Sequence, residues 1–314
     1  MGKFKHNLTI LIPTRDRPKE LRRLLESLST QSVLADRVVV VASGTQVSKE
    51  VVNEFSKWNF QYIHVARAGT SWQRNAGLGV LDPSCNLVGF FDDDVVLDPN
   101  ALEVMLTFWE TAPPDVGGAG FNFHNVLAPE TRRKWSLGSV VQLYKTLMLK
   151  NESKGSVLAS GFPTPIFPAD ENIHVEWLET LGLTLRREVV EQFKFDDFFA
   201  GYSYLEHVEY TYRVSHKYKL CVVSNAWVTH YSGPIRNSYS LGRMQVINRI
   251  HFVRKNKELS PMRCYLALVA HMFFNATVGV LLRDSGYVKR AWGNCVGLSQ
   301  VAMGRVLPVA GDVK

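Results

Sequence analysis

Paired cysteine spacing is missing from this 314-residue chain. Its four cysteines, Cys85, Cys221, Cys264 and Cys295, stand far apart. That spacing argues against a disulfide scaffold and a cysteine-based zinc site, and suits reduced thiols in a cytoplasmic setting. The start, residues 1–6, is short and polar, with no apolar signal-peptide core behind it. No GxGxxG or Walker A glycines follow the first apolar run, which disfavours a dinucleotide-binding Rossmann enzyme and a P-loop enzyme. Internal repeats and low-complexity stretches are lacking as well. Acidic residues are scarce in one region only. Residues 241–314 hold 11 Lys/Arg against 3 Asp/Glu, while residues 1–240 hold 25 against 26. The net charge of +7 is therefore a property of the tail. Such asymmetry points to an anionic partner, a membrane surface or a nucleic acid, or to a solvated basic face.

What is present is ordinary globular material. The apolar fraction is 46% and the charged fraction 21%, which excludes a wholly disordered chain, a collagen and a coiled coil. The length suits two domains of about 150 residues each. The first 120 residues alternate strand and helix signals. Apolar runs at Leu8 to Ile12, Arg37 to Ala42, Tyr62 to Ala66 and Asn86 to Phe91 read as strands. Helical patterns run from Pro18, from Ser48 (as N-cap) to Trp58, from Thr70 to Leu81 and from Pro99 to Trp109. This repetition predicts a parallel sheet covered by helices, with ligands bound beyond the C-terminal strand ends. Three polar clusters fall at such ends: Thr14-Arg15-Asp16, Ser43-Gly44-Thr45 and Asp92-Asp93-Asp94. Residues 113–176 read as loops with a few short elements. Leu205 to His216 then reads as a helix and Leu220 to Thr229 as a strand.

The sharpest signal is Phe90-Phe91-Asp92-Asp93-Asp94-Val95. Three adjacent carboxylates repel one another, and at the end of a buried strand they need a counter-charge. A hard divalent cation, Mg²⁺ or Mn²⁺, supplies one and commonly binds substrate phosphates as well. A solvated acidic turn is the plainer alternative.

In several segments the chain resembles glycosyltransferase family 2. "LTILIPTRDRPKELRRLLESL" resembles that family's first strand, nucleotide loop and first helix. "SWQRNAGL" resembles its Arg-Asn-x-Gly segment, and "FFDDDVVLDPNAL" its Asp-x-Asp segment. "FDDFFAGYSYLEHVEYTYRV" resembles its acceptor-side helix, "WVTHYSG" its later metal-binding histidine, and "SYSLGRMQVINRIHFVRKN" the tail of many bacterial members. The resemblance covers about residues 7–257. It implies an α/β fold of the GT-A type, a mixed sheet flanked by helices; the C-terminal region after it is expected, from its apolar stretch and basic flanks, to be helical and membrane-associating. The implied catalytic domain is 1–240, with a donor half to about 120 and an acceptor half from 121, and the tail is 241–314.

The resemblance also implies roles. Pro13, Thr14, Arg15, Ser43, Arg74, Asn75, Asp92 and Asp93 would bind the donor nucleotide. Asp94, with Asp92 and His230, would hold Mn²⁺ or Mg²⁺. The family's base-reading acidic residue after the second strand is matched by Ala42, which leaves the nucleobase open; UDP- and dTDP-sugars are favoured over GDP-sugars. The family's Glu-Asp pair is matched by Glu206-His207. Either can be the base, since a histidine ordinarily titrates near working pH. Glu209 lies three residues after Glu206 on one helix face and can orient the acceptor. Trp177 can stack on an acceptor sugar, or serve as a core residue. Asp196 and Asp197 are expected to be structural.

The expected chemistry is metal-dependent, inverting transfer of a sugar from a nucleotide-diphospho-sugar to a saccharide or lipid-linked acceptor in surface-polysaccharide or glycolipid synthesis. A sugar-phosphate nucleotidyltransferase is disfavoured because "PTRDRP" has no glycine. A binding-only family member is the other alternative. No nucleic-acid-reading motif accompanies the basic tail. Cys264 to Leu282 is a 19-residue apolar stretch interrupted by His271, Asn275 and Thr277 and flanked by basic residues. It predicts a segment lying in the interface or re-entrant, a membrane span, or a helical cap on the body. The expected location is the inner face of the plasma membrane.

Overall fold

The computed structural model describes residues 4–55, 57–124, 153–233 and 237–309. Part of the stretch expected to be loops, 125–152, lies outside the described residues. The chain divides into two compact units. The first comprises residues 1–126, 166–197 and 210–232, and the second 127–165, 198–209 and 233–314.

The first unit holds one sheet. Its strands are β1 (Leu8–Arg15), β2 (Arg37–Ser43), β3 (Phe60–His64), β4 (Leu87–Phe91), β5 (Val95–Leu97), β6 (Val116–Phe123), β7 (Ile173–Val175), β8 (Gly182–Arg186) and β9 (Lys219–His230). The order is β3-β2-β1-β4-β8-β6-β9-β5, with β7 also on β9. β1 to β4 are mutually parallel, as the strand–helix alternation predicts. β8 joins β4 antiparallel and makes the sheet mixed. The short β5 is not legible in the sequence; it forms by pairing antiparallel with the end of β9.

Helices α1 (Pro18–Ser29), α2 (Val47–Glu54), α3 (Thr70–Leu78), α4 (Ala101–Thr111) and α5 (Arg187–Gln192) belong to the same unit. Alternation along β1 decides which helices meet which face. Leu8, Ile10 and Ile12 join Val38 and Val40 in a core cluster with Leu21, Leu24, Leu25 and Leu28 of α1, Val51 and Val52 of α2, and Met105 and Trp109 of α4. Leu11 and Val41 point the other way, to α3, where Gly77 lets the helix sit close. Each α1 leucine so buried contributes about 1.5–3 kcal/mol. Ser48 is not the cap of α2: the helix starts one residue earlier, behind Gln46, and Ser48 is buried inside it. That helix ends at Glu54 rather than Trp58, and α3 ends at Leu78 rather than Leu81.

α6 (Glu206–Ser215) contributes its start to the second unit and its remainder to the first. In the second unit, α7 (Ser238–Lys255), α8 (Pro261–Leu281) and α9 (Ser285–Ala302) follow in sequence. Their caps are readable. Asn237, Ser260 and Asp284 each accept a hydrogen bond from a first-turn N–H, and Pro261 opens α8. α7 and α9 touch backbone to backbone: a Cβ on Gly242 would fall on the Arg290 carbonyl oxygen, and one on Gly293 on that of Tyr239. Asn294 fills this junction. Its amide donates to the Gly242 carbonyl (2.8 Å) and to Gln245 (3.1 Å), while Asn275 of α8 donates to Asn294 (2.9 Å). The buried Arg249 donates to the Gly161 carbonyl and lies 3.8 Å over the Phe162 ring.

Candidate active site

The parallel strands of the first unit deliver their C-terminal ends to one rim. β1 pairs with β2 so that Thr14 faces Ala42 and Arg15 faces Ser43, and with β4 so that Leu11 faces Phe90. Two residues on from that pair the chain reaches Pro13 and Asp92. Thr14 then donates to Asp93 across 2.7 Å. The antiparallel register of β5 on β9 sets Val95 opposite His230. The Tyr231 N–H closes the pairing on the Asp94 carbonyl oxygen (2.9 Å). His230 Nε2 consequently lies 3.2 Å from Asp94 Oδ1.

The three carboxylates have different surroundings. Asp92 is partly exposed and receives Arg74 Nη2 at 2.6 Å. Arg74 is 1% exposed, so its charge requires a partner, and Asp92 supplies it. Asp92 is thus engaged by Arg74, while Asp94 faces His230. Asp93 and Asp94 are both buried and share Arg17, whose Nη1 is 2.5 Å from Asp93 and Nη2 3.0 Å from Asp94. Burial pushes the Asp93 carboxyl up to about 7, with Asp94 and Asp92 adding to the rise; Arg17 and the Thr14 hydrogen bond oppose it. Sequence reasoning does not single out Arg17. The available signal was the need of adjacent carboxylates for a counter-charge, with Arg17 the nearest cation ahead of α1.

The other expected donor residues divide into exposed and buried groups. Arg15 is exposed, while Pro13 and Thr14 are buried beneath it. Ser43 is fully buried, so it offers no surface to a ligand. Gln73 of α3 ties the rim together by donating to the carbonyls of Thr14 (2.8 Å) and Val41 (2.6 Å). Asn75 clasps the backbone of Phe195 in both directions at 3.0 Å, which gives it a structural task. Beside the β2 end, Asp16 accepts hydrogen bonds from the Thr45 backbone (2.7 Å) and hydroxyl. These bonds hold its carboxyl below the usual carboxylate range. Gly44, at φ +82°, makes room for that carboxylate, which any Cβ would strike.

Trp177 belongs to the first unit and is 6% exposed, which places it in the core. Glu206, His207 and Glu209 belong to the second unit. His207 is half-buried, and Glu206 is 5% exposed. Glu209 is fully buried, with its Oε1 2.6 Å from Lys255 Nζ. That ion pair leaves Glu209 no open face for the acceptor role expected of it.

Asp94 turns Oδ1 to His230 Nε2 and Oδ2 to Arg17. No group of three or more His, Cys, Asp or Glu suited to a metal occurs among the described residues. Two protein ligands still fit Mn²⁺ or Mg²⁺, because such ions keep waters and take substrate phosphates as further ligands.

Comparison with known proteins agrees with this architecture. Residues 9–163 match the model of glycosyl transferase family 2. The chain is 34% identical over 101 residues to "Glycosyltransferase GlyA" of Streptococcus pneumoniae, a match covering 31% of this chain and 14% of that protein. It is 27% identical over 105 residues to the "Uncharacterized glycosyltransferase YibD" of Escherichia coli, covering 32% of this chain and 30% of that one. The matches thus span less than a third of either relative. Among solved structures, the mannosyltransferase PcManGT of Pyrobaculum calidifontis, in complex with GDP-Man and Mn²⁺, superposes with TM-score 0.56 at 14% identity. It covers 96% of this chain and 87% of that one. TarS of Staphylococcus aureus gives 0.52 at 16% identity, covering 87% and 43%. These likenesses are of fold, and the fold is GT-A.

Proposed function

This chain belongs to glycosyl transferase family 2 through residues 9–163, and from that premise we propose that it transfers a sugar from a nucleoside-diphospho-sugar to an acceptor hydroxyl with inversion at the anomeric carbon. The observation that carries the reading is the rim itself: Asp92, Asp93 and Asp94 leave a fully buried strand and are met there by Arg74, Arg17, Thr14 and His230. Such a rim is where an open α/β sheet binds its ligand, and its charges suit a pyrophosphate.

Asp94 and His230 would hold the divalent cation, which when bound supplies electrostatic stabilisation to the diphosphate leaving group. Arg15, exposed at the end of β1, would pair with phosphate oxygens. Arg17, paired with Asp93 and Asp94, and Arg74, paired with Asp92, fix the carboxylates in direction. The bond from the anomeric carbon to the diphosphate oxygen breaks as the acceptor oxygen bonds to that carbon. The acceptor proton passes to a base. His207 is the better candidate because it keeps open surface, whereas Glu206 is 5% exposed. A single base and no nucleophile correspond to direct displacement, hence inversion. Surface-polysaccharide or glycolipid acceptors fit the basic, apolar C-terminal region.

The test is a nucleotide-release assay of the full chain with Mn²⁺ against UDP-, dTDP- and GDP-sugars, paired with thermal shifts for the three nucleoside diphosphates. Release and stabilisation with the same nucleotide support the reading. Absence of both with all three nucleotides overturns it.

A further inference from the structure

Exposed apolar side chains are concentrated in one region of the chain. Among the described residues, twelve large hydrophobic side chains are exposed, and ten of them lie between residues 262 and 307. Five form a single stripe along α8: Met262, Leu266, Val269, Phe273 and Val280, spaced by 4, 3, 4 and 7. At 100° per residue these positions fall within about 60° of one another around the helix. Their exposures reach 70% at Met262 and Val280 and 61% at Phe273. The opposite face is buried in the second unit: Cys264, Leu268, Asn275, Val278 and Gly279 turn inward, and Asn275 bonds Asn294 of α9. Val288 and the 62%-exposed Trp292 of α9 add to the apolar exposure.

We propose that this stripe docks the protein on an anionic lipid bilayer, with α8 lying along the headgroup region. Charge identifies the occupant. Residues 261–309 carry five basic residues and one acidic residue, and Arg263, Arg283 and Lys289 stand at the ends of the stripe or just beyond, all exposed. Apolar side chains bordered by cations match the boundary between acyl chains and acidic headgroups. A second copy of the chain would instead bring these like charges together. α8 is long and apolar enough to cross a membrane. Its inward face, however, carries the Asn275 hydrogen bond and the half-buried His271, and spanning would pull both out of their protein contacts.

The test is flotation of the full chain with vesicles of phosphatidylcholine alone or containing phosphatidylglycerol, beside the double variant Leu266→Glu/Phe273→Glu. The expected result is binding at least tenfold stronger to the phosphatidylglycerol vesicles, reduced at least tenfold in the variant at an unchanged thermal midpoint. Arg283→Gln/Lys289→Gln is expected to weaken binding to phosphatidylglycerol vesicles alone. Hydrogen exchange of the wild type with vesicles covers the case of a variant that fails to fold: added protection within 262–281 supports the proposal, and its absence overturns it. Equal binding of wild type and folded variant, a concentration-dependent dimer that the variant abolishes without vesicle binding, or retention in membranes through alkaline carbonate extraction would each overturn it.

Discussion

His230 Nε2 faces Asp94 Oδ1 across 3.2 Å, although the two residues lie on different strands and far apart in sequence. The contact follows from the β5–β9 register. Asp94→Asn and His230→Ala are each expected to lower turnover by about 10²–10³, the loss typical when one electrostatic stabiliser of a leaving group is removed. Both should also abolish any extra thermal stabilisation that Mn²⁺ adds to a bound nucleoside diphosphate. Scanning fluorimetry with and without Mn²⁺ checks this; an undiminished Mn²⁺ increment in both variants refutes the metal assignment.

Base catalysis separates His207 from Glu206. His207→Ala is expected to cost about 10²–10⁴ in kcat while leaving the nucleotide-induced thermal shift intact. Glu206→Gln should retain most activity. Single-turnover rates read the difference, and the reverse ranking would assign the proton to Glu206.

The Lys255–Glu209 pair is structural by the present geometry. Lys255→Met removes the cation paired with a fully buried carboxylate and is expected to destabilise the protein by about 3–5 kcal/mol. Adding Glu209→Leu should recover most of that loss, because removing both charges also removes the desolvation cost. Urea unfolding of the single and double variants measures it.

Acid sensitivity is expected from His271. Burial, reinforced by Arg249 and Arg290, lowers its pKa from 6.5 to about 4. The unfolded chain then binds the proton more readily than the folded one between those values. Stability is therefore fully present above pH 6.5 and falls as the pH drops toward 4. The loss between pH 7 and pH 5 is about 2 kcal/mol, and His271→Phe should remove that part of the slope. Unfolding midpoints at the two pH values report it.

Much of this arrangement was legible in the sequence, for physical reasons that differ by residue. β1 and β2 are continuous apolar runs, which only a strand covered on both faces can use, so they could be placed with the acidic cluster at a common rim. Pro18 marked the start of α1 because its ring suits a first turn. β5 was not legible: three residues form a strand only because β9 pairs with them. Ser48 was misread because a serine suits a cap locally, yet here it sits one residue inside the helix. Glu209 and Trp177 looked available by residue type; burial and, for Glu209, the reach of Lys255 decided otherwise, and such long-range contacts leave no local pattern. Asp92 reads in sequence like Asp94, and the buried Arg74 distinguishes them.

The pairing of β9 with β5 also dictates when the site is assembled. During synthesis the acidic cluster emerges first, and its imidazole follows only after most of the sheet has been made. A nascent chain paused before β9 carries three neighbouring carboxylates with their arginines but without the histidine. A slip of one residue in that final strand would point the imidazole to the opposite face of the sheet. On the proposed metal assignment, ion-binding competence would report on completion of the sheet, and a metal-induced rise in melting temperature would distinguish correctly closed molecules from compact but unfinished ones.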